Sequence, residues 1–159
     1  MIARCRQVYF LDECGVDHRL YNPYARAMRG EAVFARVSGA QRGRTSVISA
    51  CAHGRLVSPM VFQGNCTGEV VEAYLKKMLL PSIPVGSVIV LDNAAFHRRP
   101  STIKLVESAK CSLLFLPSYS PDLNPIENIW AVMKAKIRPG LQMAKNKIKH
   151  IVKTCLCCC

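Results

Sequence analysis

Three acidic residues stand where a metal-dependent active site would need them. Asp12 follows a β-type run, Asp92 follows an apolar run, and Glu127 opens the segment after Asn124-Pro125. α/β sheets bind ligands at the carboxyl ends of their strands, so Asp12 and Asp92 would lie side by side if their two strands are neighbours. Two carboxylates that close repel each other unless a cation holds them, and oxygen ligands suit Mg²⁺ or Mn²⁺. These acids therefore indicate a divalent-metal site.

Each of these acids also has a plainer interpretation. A lone Asp after a strand is most often a turn residue, and this applies to both Asp12 and Asp92. Residues 124–127 fit a helix start, with Asn as N-cap, Pro at the first helical position and Glu as a capping-box residue. Glu13 would point to the opposite face from Asp12 in a strand, so we do not count it as a ligand. The acids alone leave both interpretations open.

The elements that must position the acids follow from the hydrophobic pattern. Strands are predicted at Gln7–Leu11, as a hairpin at Thr45–Ala52 and Leu56–Gln63, and as two buried strands at Ser87–Leu91 and Ser112–Leu116. Helices are predicted from Thr67 to about Leu80, ended by Pro81 and Pro84, from Ser101 to Ser108, and from Pro125 to about Ile137. An apolar stripe along the last helix is expected to be core rather than a DNA-stacking surface: Ile126, Ile129, Trp130, Met133 and Ile137. This order predicts an α/β domain with a mixed sheet and helices on its faces.

The chain is strongly basic, which predicts a polyanionic partner. Its 159 residues include 22 Lys and Arg against 10 Asp and Glu, a formal net charge of +12. A soluble domain this basic usually meets nucleic acid, although ordinary solubilising charge is the alternative. The candidates for DNA contacts are Arg42, Arg44, His97, Arg98, Arg99, Lys134, Lys136 and Arg138. For His97 the alternative is a loop histidine with a structural hydrogen bond, and for the lysines it is a merely solvated face.

Nothing in the sequence favours a membrane or a secreted protein. No apolar run is long enough to cross a bilayer and the N-terminus is unlike a signal peptide, so we expect a cytoplasmic, nucleoid-associated protein. The nine cysteines are then expected to be free thiols. We expect residues 1–145 to form one domain and residues 146–159 to be an unassigned Lys- and Cys-rich tail. Zinc binding by the tail is disfavoured because His150 is the only imidazole near its cysteines.

Four motifs, in order along the chain, resemble the catalytic domain of mariner-superfamily transposases, particularly their bacterial insertion-sequence branch. They are Phe10-Leu11-Asp12-Glu13, Gly43-Arg44-Thr45-Ser46-Val47, Val90-Leu91-Asp92-Asn93-Ala94-Ala95-Phe96-His97, and Leu116-Pro117-Ser118-Tyr119-Ser120-Pro121-Asp122-Leu123-Asn124-Pro125-Ile126-Glu127-Asn128-Ile129-Trp130. Between Asp92 and Glu127 lie 34 residues, a spacing that this family uses. The resemblance covers roughly residues 7 to 140.

The resemblance implies a ribonuclease-H-like fold, with a mixed five-stranded sheet and helices on both faces. It implies a DDE-type transposase or endonuclease that cleaves DNA and transfers strands. Asp12 would bridge two Mg²⁺ or Mn²⁺ ions, and Asp92 and Glu127 would each hold one. One metal would activate a water or a DNA 3′-hydroxyl, and the other would stabilise the leaving oxygen. The implied partners are double-stranded DNA, as transposon ends and target, and a second copy in a homodimer of the full-length protein.

The chain departs from the family pattern in two places. Such transposases carry helix-turn-helix modules before the core, whereas Met1 stands eleven residues before Asp12, so we expect a truncated copy. Ser118 stands where the family often has a second Pro. A non-enzymatic DNA-binding remnant is therefore one alternative. A ribonuclease acting on RNA–DNA hybrids is another, and the Pro-rich signature from Tyr119 to Trp130 argues against it.

Overall fold

The computed structural model describes residues 6–17, 29, 44–117 and 120–141, without the side chains of residues 17, 121 and 138–141. The strands are β1 Val8–Asp17, β2 Arg44–Ala52, β3 Arg55–Gln63, β4 Val88–Leu91 and β5 Ser112–Phe115. The α-helices are α1 Gly68–Tyr74, α2 Leu80–Ser82, α3 Pro100–Ser108 and α4 Ile126–Leu141. A π-helical turn at Leu75–Leu79 joins α1 to α2, and short 3₁₀ turns lie at Ala95–His97 and Pro121–Leu123. Arg42 and the tail 146–159 lie outside the described residues.

The five strands form one mixed sheet in the order β3-β2-β1-β4-β5. β2 runs antiparallel to β1 and β3, and β4 runs parallel to β1 and β5. β2 and β3 form the predicted hairpin, whose two turn residues, His53 and Gly54, have φ of 51° and 74°. Positive φ at both positions is what a two-residue turn needs to match the twist of its strands, and glycine adopts it without strain.

Helices cover both faces of the sheet, as predicted. Tyr9 and Leu11 of β1 belong to a core that includes buried side chains from α1, the π-helical turn and α3. Cys14 and Val16 belong to a second core against α4, because alternate residues of a strand face opposite ways. The α4 side chains of this second core are 0–1% exposed: Ile126, Trp130, Met133 and Ile137. The interpretation of this stripe as core is confirmed.

The first strand is longer than its sequence pattern predicts, so Asp12 lies inside β1 and not at its end. Pairing with β4 stops at Phe10↔Val90, but pairing with β2 continues through Asp12↔Ser49 to residue 17. The prediction placed the end of β1 at the first charged residue. The partner strand β2 lies more than thirty residues further along the chain, and its pairing extends the strand past that point.

Two other predictions about elements are wrong. β5 is not a buried strand but an edge of the sheet, and Leu114 is 55% exposed. A short apolar run does not distinguish an edge strand from a central one. Pro81 does not end the helix but lies within α2. Pro81 has no N–H to donate, and the preceding turn is already shifted, because Leu80 N–H bonds to Leu75 O in the π-helical pattern. Within the described part of the chain, no helix is long and apolar enough to cross a membrane.

Candidate active site

Asp12 is buried on the face of the sheet that α4 covers. It is 8% exposed, and the indole Nε1 of Trp130 donates a hydrogen bond of 3.0 Å to its Oδ2. Burial, followed by the negative charges of Glu13 and Glu127, raises the pKa of Asp12 to about 7. A carboxyl whose pKa rises this far lies among concentrated negative charge with little water to stabilise it. Such an environment favours a bound cation.

Asp92 directly follows β4, the parallel neighbour of β1. The last pair of these two parallel strands is Phe10↔Val90, so Asp12 and Asp92 each lie two residues beyond it, at the same end of neighbouring strands. Asp92 Oδ1 accepts hydrogen bonds from the Ala94 backbone N–H at 3.1 Å and from His97 Nδ1 at 2.5 Å. The bond from His97 lowers the pKa of Asp92. This carboxylate is therefore charged and held in a fixed orientation.

His97 lies at the end of the 3₁₀ turn after Asp92 and is 1% exposed. Its Nε2 lies 3.4 Å from Oε2 of Glu13, on the opposite side of β1 from Asp12. Burial alone would lower the pKa of His97, but the hydrogen bond to Asp92 and the contact with Glu13 outweigh it and raise the pKa to about 9. The expectation that His97 contacts DNA is wrong because the ring is sealed from solvent. The alternative, a structural hydrogen bond, matches the geometry.

Glu127 lies in the first turn of α4 and is exposed. Its charge contributes to the raised pKa of Asp12, and α4 covers the face of the sheet that carries Asp12. The backbone N–H of Glu127 bonds to the carbonyl of Asn124 at 3.2 Å. Asn124 Oδ1, however, is buried without a hydrogen-bond partner, so the side-chain N-cap of the plainer interpretation does not form.

The chemistry of these side chains fits a divalent cation. Their donor atoms are carboxylate oxygens, the ligands that Mg²⁺ and Mn²⁺ prefer, and Asp12 is a buried carboxyl whose pKa is raised by burial and by neighbouring acids. Among the described residues, no three His, Cys, Asp or Glu side chains are already clustered closely enough to hold a metal ion. Side-chain adjustment at Asp12, Asp92 or Glu127 would therefore have to accompany metal binding.

The basic residues divide into those already paired and those facing solvent. Arg99 bonds to Glu69 at 2.8 Å and lies 3.4 Å from Glu72, which ties the start of α3 to α1. Its charge is therefore partly compensated within the fold by acids of α1. Arg98 is exposed, with its guanidinium carbon 5.5 Å from the centre of the Phe115 ring. Stacking on the ring leaves the cation at the surface, where it is available to a phosphate.

Three further basic residues border the site or the surface near it. Lys134, on α4, lies beside Cys14, where it opposes the rise in the thiol pKa that burial causes. Arg44 is exposed, and its guanidinium lies across Gly15, where the absence of a side chain leaves room for it. Lys136 is exposed on α4. The side chain of Arg138, like all of Arg42, lies outside the described residues.

This arrangement defines the class of the protein. A mixed five-stranded sheet in the order β3-β2-β1-β4-β5, with helices on both faces, is a ribonuclease-H-like fold. The model of the DDE superfamily endonucleases matches residues 7–149. The chain therefore belongs to this family, and the fold and family predicted from the motifs are confirmed.

Individual relatives agree with this assignment. The Tc3 transposase of Caenorhabditis elegans is 48% identical over 42 residues, which are 26% of this chain and 13% of that protein. The Mos1 strand transfer complex aligns with a TM-score of 0.64 and 14% identity, over 96% of this chain and 55% of that chain. The catalytic core domain of HTLV-2 integrase, in complex with magnesium, aligns with a TM-score of 0.59 and 12% identity, over 95% and 82%. This chain spans about half the length of the Mos1 protein.

Proposed function

We propose that this domain cleaves DNA strands and joins them to new ones, using a pair of divalent metal ions. The observation that carries the proposal is the buried Asp12, on the strand next to the one that Asp92 follows and within electrostatic reach of Glu127, in a chain of the DDE endonuclease family. Mg²⁺ or Mn²⁺ is the proposed cofactor, in line with the magnesium in the HTLV-2 integrase core.

The residues of the chain have separable roles in this reaction. Asp12, Asp92 and Glu127 would hold the ions through their carboxylate oxygens. The Trp130 indole fixes one oxygen of Asp12 and shields it from solvent. When bound, the ions supply activation of the attacking hydroxyl and neutralisation of charge on the leaving oxygen. The protein contributes position and charge rather than a covalent intermediate.

Double-stranded DNA is the proposed substrate. The net charge of +12 favours a polyanion, and Arg98 and Lys136 present their charges to solvent. For the whole protein we propose transposon ends and target DNA as partners, with a second copy in a homodimer. The Mos1 strand transfer complex supports this proposal by its fold.

A nicking assay on supercoiled plasmid tests the proposed function. We expect relaxation of the plasmid with Mg²⁺ or Mn²⁺ and none with EDTA. Ca²⁺ should bind without turnover, because its looser coordination misplaces the reacting oxygens. Asp92→Asn keeps the size of the side chain and removes its charge, and Asp122→Asn makes the same change at an exposed position outside the site. Equal nicking by the wild type and Asp92→Asn would overturn the proposal, whereas Asp122→Asn should keep full activity.

A further inference from the structure

A buried histidine links two strands at the candidate site. His97 lies between Asp92, which follows β4, and Glu13, which belongs to β1. The ring is 1% exposed, and Glu13 is 19% exposed. A side chain this buried cannot meet DNA, yet it contacts one of the proposed metal ligands directly. Its contribution to the reaction must therefore pass through Asp92.

The hydrogen bonds at Asp92 are arranged asymmetrically. Both donors, the Ala94 backbone N–H and His97 Nδ1, meet the same oxygen, Oδ1. Oδ2 is therefore the oxygen left to face an ion, and the side chain as a whole is 48% exposed. Two donors on one oxygen fix the plane of the carboxylate before any ligand arrives, which lowers the entropic cost of binding.

We propose that His97 is a positioning residue, which orients Asp92 through Nδ1 so that Oδ2 faces the metal, while Glu13 Oε2 lies 3.4 Å from Nε2 at the other edge of the ring. The inference rests on the proposed function, because the orientation of Asp92 matters to catalysis only if Asp92 binds metal. Loss of a side chain that holds a metal ligand typically weakens metal binding or activity by about 10–100-fold. Glu13, which faces away from Asp12, thereby acquires a role at the site without being a ligand.

Two substitutions at His97 separate positioning from simple filling of the core. Asparagine places a side-chain N–H close to the position of Nδ1, and glutamine places one close to that of Nε2. His97→Asn therefore keeps the donor to Asp92, whereas His97→Gln keeps only the contact with Glu13. The measurement is the affinity of the full chain for Mn²⁺ alone, from the electron paramagnetic resonance signal of free Mn²⁺. Asp92→Asn gives the affinity for Mn²⁺ that remains when the Asp92 carboxylate is lost.

We expect His97→Gln to bind Mn²⁺ about 10–100-fold more weakly than the wild type, and His97→Asn to stay within about threefold of it. If His97→Asn and His97→Gln have the same melting temperature and bind Mn²⁺ with equal affinity, the inference is overturned. If neither variant folds, Glu13 supplies the test, since Glu13→Gln keeps an acceptor for Nε2 and Glu13→Leu does not. Both changes remove the same charge, so a weaker affinity of Glu13→Leu supports positioning and equal affinities contradict it.

The same titration distinguishes a failure of the inference from a failure of the proposed function. If Asp92→Asn and the wild type bind Mn²⁺ equally, Asp92 is not a ligand, and both proposals fail. If Asp92→Asn weakens binding while His97→Asn and His97→Gln do not differ, the metal site stands and only the positioning role of His97 fails.

Discussion

Replacing Asp12 by asparagine should stabilise the metal-free protein at alkaline pH. The folded protein raises the pKa of Asp12 from 3.8 to about 7, so between these values the native state holds a proton that the unfolded chain has lost. Stability must then fall as pH rises through this window. A rise of roughly three pKa units, at about 1.4 kcal/mol each, gives a loss of about 4 kcal/mol between pH 3 and pH 8. Asparagine does not titrate, and its side-chain oxygen still accepts the bond from Trp130.

Urea unfolding of both proteins in EDTA, from pH 4 to pH 8, measures this effect. Subtracting the two curves removes the contribution of other groups, including His97, whose raised pKa makes stability fall between about pH 6.5 and pH 9. The difference should grow steadily in favour of Asp12→Asn as pH rises, and saturating Mg²⁺ should reduce it. A difference that stays within about 0.5 kcal/mol across this range would refute the assignment of Asp12 as a buried acid among negative charges.

Three further measurements probe the core and the basic surface. Ile137→Ala, in the fully buried stripe of α4, should lower the free energy of unfolding by about 2–5 kcal/mol. Val132→Ala, at a position 50% exposed, should change it by less than about 0.5 kcal/mol. Similar losses in the two variants would show that α4 does not pack as described. Duplex DNA should bind with a Kd of about 10⁻⁴–10⁻⁶ M at physiological salt, and more weakly as salt rises, with little regard to sequence. A preference of a hundredfold or more for a terminal repeat over a scrambled duplex would show that the core itself recognises bases. Lys136→Ala should reduce the slope of log Kd against log salt concentration by about one. Arg99→Ala should leave this slope unchanged, because Arg99 is already paired with Glu69 and Glu72. Equal changes of slope in the two variants would contradict this prediction.

The positions of Asp92 after a strand and of Glu127 at the start of a helix could be predicted from the sequence because they depend on local patterns. An apolar run before Asp92 and an amphipathic helix after Glu127 are each visible within a few residues. The stripe around Trp130 was assigned to the core by its helical spacing alone, and the structure buries it. What the sequence did not show is that Trp130 also bonds to Asp12, a contact between residues 118 positions apart.

The environment of His97 could not be predicted for the same reason. Its distance from Asp92 along the chain allows a hydrogen bond, but whether the ring faces solvent depends on how β1 and β4 pair. The extension of β1 depends on β2, and the exposure of β5 depends on its place at the edge of the sheet. Each of these features is set by contacts between distant segments, which a pattern within one segment does not contain.

A crystal structure of the chain with Mn²⁺, with the ions located by anomalous scattering, tests the central claim most directly. We expect two anomalous peaks about 3.5–4 Å apart. Asp12 should contact both ions, Asp92 one of them and Glu127 the other. Asp92 should contact its ion through Oδ2 while His97 keeps its bond to Oδ1. Anomalous density at the Lys- and Cys-rich tail instead, with none at these three carboxylates, would contradict the assignment of this site as the catalytic centre.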